Sequence, residues 1–526
     1  MERASPFMPG TPIEELREAL QRTQRHPVRL IETHVSWVLL GDDEAYKVKR
    51  PVRLPFLDFG SLERRREACE EELRLNRALS PTLYRDVVAV RSAANGTLAF
   101  GGGGGGGEAR EYAVRMRRFA AGSTWAERLA SGSLLPHHVD AFAERLAAIH
   151  RAAPCLPAVG GVVAAAARPA TLQRLLAGID GQQGAAYWPA LRAWFEREAT
   201  RLAPHAAARL AAGRVRECHG DLHLGNIVQE GAESLPFDAL EFDPALRWID
   251  VLDDVAFPVM DLLANGRRDL ALRLLGAWLD ASGDHDGLPA LRFFLVGRAL
   301  VRAHVAAIDE GEGRSRPGMR SAATYLRLAE RLALHVDPRL AITHGLPGSG
   351  KTFASQGLLE AAGAIRVRSD IERKRLLGVA PLGATGDASI AYGDTIGART
   401  YDRLHAVARL ALAAGWPAIV DAAFLDEPQR RRFAELARSL RVPFTIIDCR
   451  APEAVLQARI AHRLATRHDA SEADLLVLQR LAAVAEPLRC DEQAQAIVVD
   501  AARPWPPATL AQRWLDVQAP SGEPDA

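Results

Sequence analysis

Leu340-Ala-Ile-Thr-His-Gly345-Leu-Pro-Gly348-Ser349-Gly350-Lys351-Thr352 decides the fold of the last third of the chain. An apolar run, Leu340 to Thr343, enters a glycine-rich loop, and a helical stretch from Phe353 to Ala361 follows. A strand, a loop of the form Gly-x-x-x-x-Gly-Lys-Thr and a helix are the context in which such a loop cradles phosphates on backbone amides at a helix N-terminus. On this reading Gly345, Gly348, Ser349 and Gly350 form the cradle. Lys351 reaches the β- and γ-phosphates, and Thr352 holds Mg²⁺ through its hydroxyl. The implied ligand is ATP with Mg²⁺.

Lysine usage points to a second such site. The chain has 62 arginines and four lysines, and three of those lysines, Lys47, Lys49 and Lys351, lie in segments suited to nucleotide phosphates. A solvated face takes either residue, whereas a narrow cradle takes the thin lysine stem and excludes the planar arginine fork. Lys47 and Lys49 sit in the strand-like stretch Ala45-Tyr-Lys-Val-Lys-Arg-Pro51. Two lysine-bearing cradles some 300 residues apart imply two ATP sites.

Downstream of the loop, strand-like runs at 365–368, 417–421 and 443–449 alternate with helices, the rhythm of a parallel sheet covered on both faces. Asp370, in Ser369-Asp370-Ile-Glu-Arg-Lys374, follows the first run and suits either a base for an acceptor hydroxyl or a helix N-cap. Asp421 ends the second run and reads either as an acid holding the Mg²⁺ shell or as a buried structural carboxylate. Arg459, Arg463 and Arg467 recur every four residues, as a lid over transferred phosphate or as a solvated face. This set resembles the small-substrate P-loop kinases, including the polynucleotide-kinase and zeta-toxin-like group, over roughly 340–516.

Cys218-His219-Gly220-Asp221-Leu-His223-Leu-Gly-Asn226 is the second constellation. A histidine, an aspartate two later and an asparagine five beyond match the spacing of a kinase catalytic loop. Asp221 would orient the acceptor hydroxyl and Asn226 help to hold Mg²⁺, with His219 bracing the loop. The chemical rival is a metal site built from His219, Asp221 and His223, for which no further ligand cluster is found. An acidic cluster follows in Pro236-Phe-Asp238-Ala-Leu-Glu241-Phe-Asp243. Together these resemble the aminoglycoside phosphotransferase and choline-kinase superfamily, of protein-kinase-like fold, over about 25–335. The resemblance implies Asp238 as the metal aspartate, Glu241 as a second acid, and Lys47 or Lys49 as the phosphate-pairing lysine. It further implies Glu72 as the helix partner of that lysine, with Glu70 and Glu71 as alternatives, and Met116 to Phe119 passing the adenine. The family form is Ile-Asp-x-Glu, so the extra residue here leaves the choice among Asp238, Glu241 and Asp243 open. The whole layout is similar to bacterial proteins described as bifunctional aminoglycoside phosphotransferase/ATP-binding proteins. Antibiotic kinases of that kind grip polycationic drugs in an acidic groove, and Glu217, Asp250, Asp253, Asp254 and Asp261 read here either as such a groove or as the charges of ordinary surface helices.

Length and composition fit this frame. With 526 residues the chain exceeds one core, and its net charge of +1 gives no electrostatic footprint for nucleic acid. Five scattered cysteines without metal spacing, no signal-like N-terminus and no long apolar run point to a cytoplasmic, non-membrane protein. The expected architecture is an α+β protein-kinase-like domain at 1–335, an α/β P-loop domain with a parallel sheet at 336–516, and a disordered tail at 517–526. The boundary at Pro338 implies two folding units, each with its own core. Gly101 to Gly107 is expected as a floppy hairpin tip, and 160–170 as a small-residue loop. The leading function is an ATP-dependent phosphotransferase with two nucleotide sites acting on small-molecule hydroxyls. The alternative is an ATP-sensing regulatory or toxin-neutralising protein with one catalytic site. The sequence names no partner protein.

Overall fold

The computed structural model describes residues 13–518 apart from 55–56, 93–95, 102–107, 157–187, 315–317, 381–382, 384–392, 467–470, 472 and 504. The expected hairpin tip beyond Gly101, the loop at 160–170, Arg467 and the end of the tail lie outside the described residues.

The first lobe is a six-stranded antiparallel sheet. Its order is Arg29–Glu32, Ser36–Leu40, Glu44–Lys49, Ala109–Arg117, Tyr84–Ser92, Leu98–Phe100. Alternation of side chains divides the central strand Glu44–Lys49 between two layers. Tyr46 and Val48 join Leu39 and the helix Ile13–Gln21 on one face. Lys47 and Lys49 face the other way, toward the helix Leu62–Leu79, and both meet its Glu72. That helix is started by Ser61, whose side chain accepts from the Arg64 amide at 3.3 Å.

The second lobe is helical around an irregular island. Two short antiparallel pairs frame the island: Val215–Glu217 with Trp248–Asp250, and Ile227–Glu230 with Glu233–Pro236. Helices Pro136–Ala152, Val251–Ala264, Arg268–Ser282, Leu288–Gly311 and Ala322–Leu334 pack around it.

The C-terminal unit is a five-stranded, all-parallel sheet ordered Ile365–Arg368, Ala418–Asp421, Leu340–His344, Phe444–Arg450, Ala496–Asp500. The strand feeding the glycine-rich loop is therefore central. Helices Lys351–Ala362 and Pro507–Leu515 cover one face, with Trp514 fully buried against it.

On the opposite sheet face Ile342, Val367, Val420 and Ile446 pack under the unit's own helices Asp394–Ala413 and Glu427–Ser439, and the same apolar cluster continues into the helices of the N-terminal unit. The two units approach closely because Gly276 leaves room: a Cβ there would lie 2.9 Å from Leu359 Cδ1. Arg273 clamps the contact between Asp140 and Glu360, at 2.5 and 2.8 Å. Among the described residues no helix is long and apolar enough to cross a membrane.

Candidate functional sites

At the N-terminal site a strand, a helix and a turn bring five ionic side chains together. Lys47 Nζ lies 3.0 Å from Glu72 Oε1 and also pairs with Asp238. Lys49 pairs with Glu72 and Glu241 and has no exposed surface. The two lysines thus share one carboxylate but face different partners. Lys47 reaches toward Asp238, whose side chain is 42% exposed, whereas Lys49 and Glu241 form a buried pair. Burial opposes the charge on Lys47, yet Asp238 and Glu72 outweigh it and hold the amine well above its ordinary value. Burial likewise pushes the Asp238 carboxyl up, and Lys47 overcomes this and holds it below the usual range. Glu70 and Glu71 do not take the Glu72 position: Glu70 pairs with Arg66, and Glu71 with Arg74 and Arg247.

Asp238 sits at φ 63°, a left-handed backbone that a non-glycine residue adopts only when its surroundings enforce it. Here the enforcing contacts are visible. The Asp238 amide donates to the Tyr84 hydroxyl at 3.0 Å, and the Ala239 amide to the buried Asn76 Oδ1 at 2.8 Å. Asp243 caps the helix Pro244–Arg247 by accepting from the Ala245 amide at 2.9 Å.

Facing this cluster is the loop at 218–226. Asp221, 39% exposed, accepts from Asn226 Nδ2 on its backbone carbonyl at 2.9 Å and its carboxylate at 3.4 Å. His219 lies behind the loop, its Nε2 2.8 Å from the Phe237 carbonyl. His223 Nδ1 accepts from the Gly225 amide at 3.0 Å, so its ring proton sits on Nε2, 3.7 Å from Asp221 Oδ2. Burial pushes His223 down to about 4, leaving the ring neutral.

Residues that spacing could not single out hold this loop. Asp254 accepts from the amides of His219 at 3.2 Å and Gly220 at 2.9 Å. His150 Nε2 lies 3.1 Å from the same carboxylate, and Trp278 Nε1 donates to His150 Nδ1 at 3.2 Å. Arg298 spends its donors on the Gly220 carbonyl at 2.9 Å and on Asp253. Asp253 and Asp254 stand out in the sequence only as acidic residues, and nothing local there marks them as supports of the loop.

The five acidic residues read as a groove or as surface charges are paired within the fold. Glu217 pairs with Arg74 and Arg247, Asp250 with Arg209, and Asp253 with Arg298. Asp254 holds the loop amides, and Asp261 accepts from the Leu224 amide at 3.1 Å and the Tyr325 hydroxyl at 3.0 Å. Each carboxylate is committed to a partner within the fold, so none is left to grip a polycation.

At the C-terminal site the central strand delivers Gly345 at φ 137°, and Gly348 and Gly350 take φ 81° and 90°. A Cβ on Gly345 would lie 2.4 Å from the Cys449 carbonyl, and on Gly348 2.9 Å from the Leu456 carbonyl, so side chains are excluded where the loop turns. Lys351 Nζ donates to the Leu346 carbonyl at 2.9 Å. Burial pushes its amine below the ordinary lysine range, against Asp421. Asp421 is buried at the end of its strand and accepts from Ser355 Oγ at 2.9 Å, while Thr352 lies in the first turn of the helix Lys351–Ala362 after the loop. Asp370 lies in the first turn of the helix Ser369–Leu376, where Arg368 holds the N-cap position. Its carboxylate accepts from Arg373 at 2.8 Å. Burial raises the Asp370 carboxyl, and Arg373, Arg368 and Lys351 more than reverse it. Arg459 donates to the Gly348 carbonyl at 3.1 Å, and Arg463 to the Ala473 carbonyl at 2.7 Å, so Arg459 reaches the glycine-rich loop itself. A cavity of about 390 Å³ opens beside the loop, lined by His344, Ser349, Asp448, Arg450 and Leu488 among others.

These two sites coincide with two family matches. Residues 37–294 match the phosphotransferase enzyme family, and residues 340–488 match an AAA domain. The chain therefore carries a phosphotransferase domain of protein-kinase-like fold followed by a P-loop domain of AAA type. Uncharacterized proteins of Mycobacterium tuberculosis and Mycobacterium bovis are each 29% identical to it over 448 residues, spanning 84% of this chain and 87% of the relative. Among solved structures, a choline/ethanolamine kinase family protein from Mesorhizobium loti aligns at TM-score 0.37 and 12% identity, covering 61% of this chain and 95% of its own. A gluconokinase from Sinorhizobium meliloti aligns at TM-score 0.24 and 22% identity, covering 34% of this chain and 91% of its own.

Proposed function

We propose that the protein transfers the γ-phosphoryl group of ATP to a hydroxyl of a small molecule at its N-terminal site, and that its P-loop domain is a second ATP site. The observation that carries this is the convergence of Asp221 and Asn226 with the Lys47, Glu72 and Asp238 cluster. Phosphoryl transfer asks little covalent chemistry of a protein; it asks for phosphates held by cations, an oriented acceptor and metal-binding oxygens. In this reading Glu72 steadies Lys47 for the phosphates, and Asp221 orients the acceptor hydroxyl and accepts its proton.

The residues fit Mg²⁺, which takes oxygen ligands and supplies charge neutralisation on the phosphates. Asn226, Asp238 and Glu241 would hold it at the first site, and Thr352 and Asp421 at the second. Both carboxylates have to release a lysine to do so, Asp238 from Lys47 and Glu241 from Lys49, and the half-exposed Asp238 is the more accessible. At the second site Gly345, Gly348, Ser349, Gly350 and Lys351 form a phosphate cradle. Two features support that fit: the space a Cβ would fill, and the buried Ser349 Oγ, which has no hydrogen-bond partner among the described residues. Asp370 is its candidate base, with Arg459 and Arg463 above the phosphates. The regions 1–335, 336–516 and 517–526 remain the proposed domain division and tail.

Labelled ATP tests this directly. Transfer of γ-label to a small acceptor by the full chain carrying Lys351→Ala, lost in Asp221→Asn on that background, is the expected result. Label transfer that survives Asp221→Asn there would remove the N-terminal site from the chemistry.

A second reading, one catalytic site regulated by the other, has its own support in the shared interface. Asp280 of the N-terminal unit lies 3.7 Å from Arg366 and 4.0 Å from Arg368, and Arg368 lies 3.9 Å from Asp421 at the P-loop site. Dependence of N-terminal turnover on ATP binding at Lys351 would favour it.

A further inference from the structure

Beside Asp221 lies a cavity of about 170 Å³, lined by His223, Gly225, Asp261, Arg302, Gly318 and Met319. We propose that this cavity receives the acceptor of the N-terminal site and that Arg302 binds an anionic group, carboxylate or phosphate, on it. The proposal rests on the phosphotransferase reading above and narrows it to a substrate class.

Position comes first. His223 and Gly225 belong to the loop that carries Asp221, and His223 Nε2 is 3.7 Å from the Asp221 carboxylate. One wall of the cavity, His223, therefore adjoins the residue that orients the acceptor hydroxyl.

The chemistry of the lining comes next. Arg298 and Arg302 stand one turn apart on the helix Leu288–Gly311, and their contrast is informative. Arg298 places its donors on Asp253 and on the loop carbonyl of Gly220. Arg302 is only 7% exposed, yet its Nε has no hydrogen-bond partner among the described residues. Its guanidinium lies by the Tyr325 ring, 5.7 Å from the centroid, and Asp261 and Tyr325 support its charge, so the unmatched donor is Nε alone. Asp261 lines the cavity too and accepts from Tyr325 and Leu224. A buried cation with an unmatched donor is costly to keep, and a planar guanidinium is suited to bidentate capture of carboxylate or phosphate. His223 adds an Nε2–H donor on the same wall.

Size and charge both favour a compact anionic occupant. At about 170 Å³ the cavity is smaller than those that enclose drug-sized ligands, which disfavours a multi-ring polycation. Gly318, at φ 76°, closes the space tightly, since a Cβ there would lie 2.5 Å from Ala126 Cβ. The acidic residues that could attract a polycation are spent on internal partners. The occupant that matches is a compact hydroxy acid or the monophosphate of a small alcohol or sugar.

The test uses the full chain carrying Lys351→Ala, γ-labelled ATP, and a metabolite extract separated on ion exchangers into anionic, neutral and cationic fractions. The expected result is label incorporated by the anionic fraction alone and lost in Asp221→Asn. With the labelled compound isolated, Arg302→Gln should raise its KM about tenfold to 100-fold with kcat largely kept, the pattern of a lost binding contact. Arg302→Lys should recover part of that loss, and both variants are checked for an unchanged melting temperature. Where Arg302→Gln melts early, the Lys variant and the fraction assay still decide the matter. Asp221-dependent label in the neutral or cationic fraction would overturn the anionic acceptor while leaving the phosphotransferase reading intact. Label in no fraction would overturn both.

Discussion

The carboxylate of Asp254 lies 3.1 Å from His150 Nε2, and through that contact a helix at 136–152 sets the position of a catalytic-type loop some 70 residues away. The amides of His219 and Gly220 converge on the same carboxylate, so the chain direction at Asp221 is fixed from beneath. Asp254→Asn replaces one acceptor oxygen with a donor that opposes either an amide or His150. A misplacement of about 1 Å in a reacting group can cost about 100-fold in rate. Turnover should fall on that scale while ATP affinity, measured by calorimetry, stays near that of the unaltered protein. Equal loss of both would mean that the lobe unfolds locally instead.

Lys47 and Lys49 should separate by phenotype. Lys47→Ala removes the side chain that faces the half-exposed Asp238, so ATP turnover should be lost with the melting temperature nearly kept. Lys49→Ala leaves Glu241 buried without its cation, a change that costs about 3 to 5 kcal/mol when one partner of a buried pair is removed. Thermal unfolding of the two variants discriminates them. Equal destabilisation would assign both lysines to the scaffold.

How much of this was legible in the sequence follows from the range of each signal. The glycine-rich loop and the His-Gly-Asp loop are local, and so the P-loop unit and the kinase-like lobe could be placed from short stretches. The edge strand Ala496–Asp500 carries an apolar run, Ala496 to Val499, like its neighbours, and its alternating exposure follows from its place at the edge of the sheet. Lys47 and Lys49 share a strand face, so periodicity could not rank them; partners from residues 238 and 241 do. Charge counts along a chain leave groove and surface charge open for the five acidic residues, because they do not show the arginine, histidine or amide beside each carboxylate. Arg302 gives no sequence signal at all among so many arginines; only its unmatched donor in a cavity distinguishes it.

Cooperativity between the two units is the next expectation. Gly276 faces Leu359 across the interface, and a leucine at position 276 has no room there. Calorimetry of the full chain should show one transition, and Gly276→Leu should split it or lower its midpoint. Fragment 336–526 alone would uncover the apolar surface around Leu359 that packs on the N-terminal unit, and it should melt earlier than the same unit in the full chain. Two well-separated transitions in the unaltered protein would show that the shared core contributes little.

Acid should destabilise the interface through His285. Its ring has no exposed surface, neither nitrogen has a hydrogen-bond partner among the described residues, and Glu372 of the P-loop unit lies 3.9 Å away. Burial pushes its pKa from 6.5 down to about 4, with Glu372 only partly opposing this. A histidine whose folded pKa is depressed is neutral in the folded state while the unfolded chain takes up a proton. The stability it permits is therefore complete above pH 6.5 and is lost progressively as pH falls toward 4. A shift of that size corresponds to about 3 kcal/mol. Unfolding free energy measured by denaturant titration should decline across this window. In His285→Leu the decline should be smaller by roughly that amount, the remainder arising from other buried histidines such as His223. An identical pH profile in the variant would show that His285 is hydrated or paired in solution and does not set the acid limit of the interface.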